Sequence, residues 1–285
     1  MPTSDAPPSP LHSTQIQPWL AGQAQARQRD RVITEMPVAL VFNGLCHVVL
    51  MATPMELEAL AMGFSLSEGV LPDASHYLGA EVVSHAAGLE LQVRITNRSF
   101  EALLARHHEQ EGPAGDGLNG IEALEALQQY APVPRPPVRP DWRQDATPIV
   151  NAAQAAMERM PDWQMLNGAS GGCHAAGWAD LEGQLHLVHE DIGRHNALDK
   201  LIGDLARRGW LDRPGVVVVS GGAGVEMVRK CARVGLGALA TLSAPTSLAV
   251  STAQAHGLHL LGLNRAPCVI QYTHLDGAPP VTARS

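Results

Sequence analysis

The spacing of apolar and polar positions changes along this chain, and each rhythm predicts an element. Residues 38–42 (Val-Ala-Leu-Val-Phe) and 46–51 (Cys-His-Val-Val-Leu-Met) are short apolar runs on either side of Asn43-Gly44. An Asn-Gly pair accepts the left-handed conformations of a tight turn, so this stretch predicts a β-hairpin. Thr53-Pro54, with Glu56 three residues after Thr53, predicts a helix N-cap and a helix over residues 55–68 that ends at Gly69. Residues 89–95 alternate Leu-Glu-Leu-Gln-Val-Arg-Ile, the period of a half-buried strand.

The flanks lack such periods. Residues 1–30 are rich in Pro, Ser, Gln and Ala and predict a mobile arm. A glycine-bearing segment at 112–120 leads to a short helical run at 121–129. Residues 132–148 then hold six prolines and three arginines, which predicts an extended linker.

Beyond the linker the rhythm becomes an alternation. Helix 150–160 is followed by strand 185–188, helix 195–208, strand 216–219, helix 225–234, strand 238–242, helix 246–256 and strand 258–263. This order predicts an α/β sheet with a parallel core and helices on both faces. The expected organisation is therefore an arm at 1–30, a small α+β domain at 31–131, the linker at 132–148, an α/β domain at 149–278 and a tail at 279–285.

Composition narrows the class. Of 285 residues, 45% are apolar and 17% charged, enough for a sizeable core and against a disordered or fibrous chain. The net charge of −8 gives no global attraction to nucleic acid or to an anionic membrane. Residues 150–265 hold ten acidic and ten basic groups, so the acidic excess lies elsewhere. The four cysteines (Cys46, Cys173, Cys231, Cys268) form no CxxC pair, which speaks against a zinc knuckle or a disulfide scaffold. With no signal-peptide pattern and no apolar run of membrane length, the expectation is a soluble cytoplasmic protein.

Ligands of open α/β sheets bind beyond the carboxyl ends of the strands. Three predicted strand-to-helix turns carry polar or glycine-rich residues there: 190–196 (Glu-Asp-Ile-Gly-Arg-His-Asn), 220–224 (Ser-Gly-Gly-Ala-Gly) and 243–247 (Ser-Ala-Pro-Thr-Ser). Each alone serves as a helix cap in many proteins. On one edge together they point to a phosphorylated or nucleotide-like ligand. His186 and His189 would face opposite sides of one strand, so hydrogen-bonded histidines are expected rather than a metal site. Cys46 and Cys231 read as core or half-buried thiols. Cys173 precedes His174 in a glycine-rich loop, where a histidine can lower a thiol's pKa.

The segments Gly172-Cys-His-Ala-Ala176, Glu190-Asp-Ile-Gly-Arg-His-Asn-Ala-Leu-Asp-Lys200 and Ser243-Ala-Pro-Thr-Ser-Leu-Ala249 resemble the formate dehydrogenase accessory sulfurtransferase family. Asn43-Gly44, Met51-Ala-Thr-Pro54, Gly63-Phe64 and Glu68-Gly69 follow the same family in order. The resemblance implies a cytoplasmic sulfur carrier that takes sulfur from a cysteine desulfurase. It would pass that sulfur to a molybdenum or tungsten bis(molybdopterin guanine dinucleotide) destined for the catalytic subunit of formate dehydrogenase. It also implies a cytidine-deaminase-like, three-layer fold for the second domain, without that fold's zinc, and leaves a homodimer open.

As cofactor-binding residues the resemblance implies His174, Arg194, His195, Asn196, Ser220, Gly221, Ser243, Thr246, Ser247 and the segment Leu263, Asn264, Arg265, Ala266, Pro267, Cys268. The family's Gly-Cys-Gly-x-Cys-Gly loop aligns with residues 115–120, where Asp116 and Asn119 stand in the cysteine positions. Neither side chain can hold a persulfide, which requires a thiolate. Cys173 is then the candidate carrier, and the alternative is a cofactor-binding chaperone without a sulfur relay. An arginine usual in the family aligns with Gly222, and only Arg265 of its basic C-terminal motif remains.

Overall fold

The computed structural model describes residues 7–111, 145–265 and 268–275. The predicted helix 121–129, the loop with Asp116 and Asn119, the linker as far as residue 144, Ala266, Pro267 and the tail lie outside the described residues.

The N-terminal segment is not without regular structure. Strands β1 (Leu11–Ile16) and β4 (Gln28–Ile33) pair antiparallel along their length, with β2 (Trp19–Leu20) and β3 (Gln23–Ala24) as a short hairpin at the tip. Most of this ribbon is exposed on both faces. Alternation is a signature of one buried face, so a ribbon held by its backbone ladder leaves no such pattern. β4 also crosses the domain boundary expected at residue 31.

The first sheet has the order β6-β5-β8-β7, from β5 (Met36–Phe42), β6 (Leu45–Ala52), β7 (Tyr77–His85) and β8 (Gly88–Ile95). β5 and β6 form the predicted hairpin, with Asn43 at φ 46° and Gly44 at φ 92°. Cys46 is exposed rather than half-buried, because it lies on the outer face of an edge strand that also exposes Val49 and Met51.

Helix α1 (Leu57–Ser67) starts later than its cap pattern suggests. Thr53 is fully buried and its hydroxyl oxygen accepts from the Ile192 N–H at 3.1 Å, so it is unavailable as an N-cap. Glu56 takes the cap position in a left-handed conformation, φ 55°, with no side-chain cap bond. α2 (Asn97–Glu111) follows the sheet.

The second part contains α3 (Thr147–Trp163), α4 (Met165–Ser170), β9 (His174–Ala179), β10 (Leu185–Asp191), α5 (Arg194–Arg207), β11 (Val216–Val219), α6 (Val225–Arg233), β12 (Ala238–Thr241), α7 (Ser247–His256), β13 (His259–Arg265) and β14 (Cys268–Gln271). Thr147 and Pro148, read as the end of the linker, are the first turn of α3. The sheet order is β10-β9-β11-β12-β13-β14, with β11, β12 and β13 parallel as expected. β9, which carried no clear strand signal, runs antiparallel between β10 and β11.

Side-chain alternation divides this sheet between two cores. Ala175, Ala179, Val216, Val218, Ala238 and Ala240 pack with Ile149, Ala153 and Met157 of α3 on one face. Ala176, Trp178, Val217, Val219 and Leu239 face the other way, with residues of α5, α6 and α7. That second core continues through α1 into Leu40, Phe42, Leu91 and Val93 of the first sheet. The two predicted domains therefore share one hydrophobic core.

Candidate functional site

The strand register gathers the predicted turns on one edge. Asp191 lies opposite His174, Val219 opposite both Ala176 and Thr241, and Thr241 opposite Gly262. The carboxyl ends of β10, β11, β12 and β13 thus sit beside the start of β9. Cys173–His174, the turn at 190–196, the two loops at 220–224 and 243–247, and the end of β13 line up along it.

Contacts between loops set the geometry. The Ser220 N–H donates to the Ala175 carbonyl at 2.9 Å, and the Ser220 Oγ accepts from the Ala175 N–H at 2.8 Å. A methyl group added at Gly221 would stand 3.5 Å from both His174 Nδ1 and Arg194 Cδ, so these three residues face one cleft. At Gly222 an added Cβ would come within 2.7 Å of Ser243 Oγ, so glycine lets the two loops approach. The Thr246 N–H donates to the Ala223 carbonyl at 3.2 Å, and the Thr246 Oγ1 caps α7 by accepting from the Ala249 N–H at 3.2 Å. The N-termini of α5 and α7 both open on this edge, which favours an anion there. Glu226 folds over Gly224 at the start of α6 and offsets that helix's dipole itself.

Among the implied residues, Arg194, Ser243, Thr246 and Ser247 are exposed and available to a ligand. His195 Nε2 is buried with no hydrogen-bond partner. Burial lowers the His195 pKa, with Arg194 and Lys230 adding to the effect, so the ring is neutral at pH 7. Asn264 and Arg265 are the last two residues of β13, whose end reaches this edge. Leu263 is half-buried and Cys268 is exposed at the start of β14, opposite Arg265.

The two acids that open the 190–200 segment are scaffold. Glu190 accepts from the Leu166 and Asn167 N–H groups at 2.7 and 2.8 Å, which fixes α4 and the loop that carries Cys173. Asp191 is fully buried and accepts from the N–H groups of Thr53 (3.1 Å) and Gly193 (2.8 Å), while Lys200 Nζ lies 2.7 Å from its Oδ2. Asn196 Nδ2 donates to Asp191 Oδ1 at 3.0 Å and to the Met51 carbonyl at 2.8 Å. Its amide hydrogens are thereby committed to the fold. The histidines behave as expected of hydrogen-bonded groups: His186 pairs with Asp180, and His189 bridges Glu56 and Asp204. Among the described residues no cluster has the make-up of a metal site.

Burial raises the Cys173 pKa to about 11, and the Glu190 and Asp191 carboxylates add to the rise. Alkylation of Cys173 by iodoacetamide is expected to climb about tenfold per pH unit between roughly pH 7 and 10, without levelling off. Peptide mass spectrometry would follow it, and a plateau below about pH 8 would mean that the thiolate is stabilised after all.

Comparison with known proteins matches this sequence, over residues 33–277, to the FdhD/NarQ family. The chain belongs to that family. A sulfur carrier protein FdhD from Bordetella petrii is 43% identical over 251 residues, 87% of each chain. Another from Cupriavidus necator is 41% identical over 272 residues, 95% of this chain and 91% of that one. A crystal structure described as that of a formate dehydrogenase accessory protein from Desulfotalea psychrophila is similar in fold, with a TM-score of 0.65 at 20% identity, covering 92% of this chain and 96% of the other. The family resemblance read from the motif segments is thus borne out. The role of Thr53, which ties the first sheet to the edge, was hidden in the sequence because its spacing matches a helix cap equally well.

Proposed function

We propose that this chain serves formate dehydrogenase maturation as an accessory protein of the sulfur-carrier family, holding the bis(molybdopterin guanine dinucleotide) cofactor as cargo at the sheet edge. The observation that carries this reading is the convergence of the N-termini of α5 and α7, Arg194 and the Gly221–Gly222 cleft on one edge of a family member. Such an edge suits a dinucleotide with two pyrophosphates: guanidinium and backbone N–H groups bind phosphate oxygens, and the glycines admit them closely. His174, Ser220, Ser243, Thr246 and Ser247 would supply further donors. The cytidine-deaminase-like layering belongs to the same reading, as do the catalytic subunit of formate dehydrogenase as recipient and the cytoplasm as location.

Sulfur handling divides into two readings. In the first, the Cys173 thiolate attacks the outer sulfur of a desulfurase persulfide, the S–S bond breaks, and the desulfurase thiolate leaves. Its support is the position of Cys173 beside His174 on the edge. In the second, the chain holds the cofactor without relaying sulfur. Asp116 and Asn119 in the usual cysteine positions favour this one, and so does the raised pKa of Cys173. Incubation with a cysteine desulfurase and cysteine is expected to leave the intact mass unchanged. GDP binding is expected to persist and to weaken by about 1–3 kcal/mol in Thr246→Ala or Arg194→Ala. A mass gain of about 32 Da that disappears in Cys173→Ala would establish the relay. Unchanged GDP affinity in both edge variants would remove the edge as the cofactor site.

A further inference from the structure

A cavity of about 490 Å3 lies away from the sheet edge, between the end of α1, the following loop, α2 and the end of α6. Arg233 closes α6, whereas the edge loop 220–224 precedes it, so about 13 Å of helix separates the two places. Arg98, Arg106, Arg233, His76 and Asp73 provide its charged and titratable lining. Three guanidinium groups against one carboxylate leave the lining net positive in a chain whose net charge is −8; Arg233 and Asp73 are already engaged by neighbours, so Arg98 and Arg106 are the groups a ligand would meet.

The pocket is built rather than incidental. Arg98, Ala102 and Arg106 recur every four residues along α2, so they share one face, and the small Ala102 leaves room between the two arginines. Gly69 has φ +68°, and a Cβ there would fall 2.1 Å from Arg233 Nη1. The left-handed backbone favours glycine there, and the Arg233 guanidinium lies against it. His76 Nδ1 is fixed by Thr96 Oγ1 at 2.7 Å and by the buried Ser99 Oγ at 2.8 Å. Leu66, Val70 and Leu71 supply an apolar wall. The start of α2 adds a favourable dipole, while α1 and α6 end there with the opposite sign, so the guanidinium groups decide the balance.

We propose that this pocket binds a phosphate-bearing small molecule, distinct from the cargo at the edge. Rigid guanidinium forks match phosphate oxygens two at a time, and the apolar wall suits the organic part of such a ligand.

Calorimetry on the full chain with pyrophosphate, and with citrate as a carboxylate control, tests this. Pyrophosphate is expected to bind the wild type in two phases, one at the edge and one at this pocket. Its affinity for the pocket is expected to fall at least about tenfold in Arg98→Ala/Arg106→Ala and to recover in part in Arg98→Lys/Arg106→Lys. Thr246→Ala, which alters the edge and the cap of α7 but no residue lining the pocket, is expected to leave this binding intact. Arg98 is exposed and Arg106 half-buried, so a preserved melting temperature is expected to show that the variants fold. Binding unaffected by the double arginine variant would overturn the proposal, as would binding abolished by Thr246→Ala alone. Citrate binding as tightly as pyrophosphate would overturn the assignment to phosphate.

Discussion

Asp191→Ala is expected to lower the folding free energy by about 3–5 kcal/mol, the range for breaking a buried charge pair by removing one partner. Asp191 and Lys200 both have fully buried side chains, with Nζ 2.7 Å from Oδ2. Among the described residues Lys200 would retain only carbonyl partners, those of Thr53 at 3.3 Å and Glu190 at 3.1 Å. The N–H groups of Thr53 and Gly193 would lose their acceptor in the same step. Urea denaturation monitored by circular dichroism measures the loss. The double variant Asp191→Leu/Lys200→Met is expected to lose less than the two single variants combined, because it leaves no charge stranded. A loss under about 1 kcal/mol for Asp191→Ala would show that water reaches the site and that the pair contributes little. Since Asp191 holds the turn that carries Arg194, weaker GDP binding at the edge is expected alongside.

Gly63→Ala is expected to destabilise by about 3 kcal/mol or more, at the upper end of overpacking costs. α1 and α5 cross where Gly63 meets Gly203. A Cβ on Gly63 would lie 1.7 Å from the Asp199 carbonyl oxygen, and one on Gly203 would lie 1.9 Å from that of Ala59. Both obstacles are backbone, so no rotamer change relieves them. The helices must separate, and separation disturbs the buried Lys230–Asp199 contact at 2.8 Å and the Ser67–Asp199 hydrogen bond at 2.6 Å. Burial alone would lower the Lys230 pKa, but Asp199 and Glu68 outweigh it and raise it. The melting temperature of Gly63→Ala reports the effect, and a value within about 2 °C of wild type would mean that the crossing is looser than described.

The parallel β11–β13 core, its helices and the Asn43-Gly44 hairpin were legible in the sequence because each keeps a hydrophobic period or a turn residue with one conformation. The three turns on the edge were legible for a related reason: strand direction places every βα turn of a parallel sheet at the same end. The segment at 190–200 specified the family, yet its roles were not readable. Asn196 has the look of a ligand group, and its amide hydrogens are spent on Met51 and Asp191. Thr53 has the spacing of a helix cap, and it is a partner of Ile192 instead. Cys173 stands beside a histidine in sequence, while in space Glu190 and Asp191 set its charge environment.

Local pattern thus determined the β5–β6 hairpin, the parallel strands and helices of the second part, the family and the edge on which polar turns collect. Tertiary structure alone decided that both sheets share one core, that α1 and α5 touch through two glycines, and that Arg233 joins Arg98 and Arg106 around one cavity. Periodicity reports which face of an element is buried, but not what buries it. Partners far apart in the chain, such as Thr53 and Asp191, are chosen by packing, and no local spacing encodes that choice.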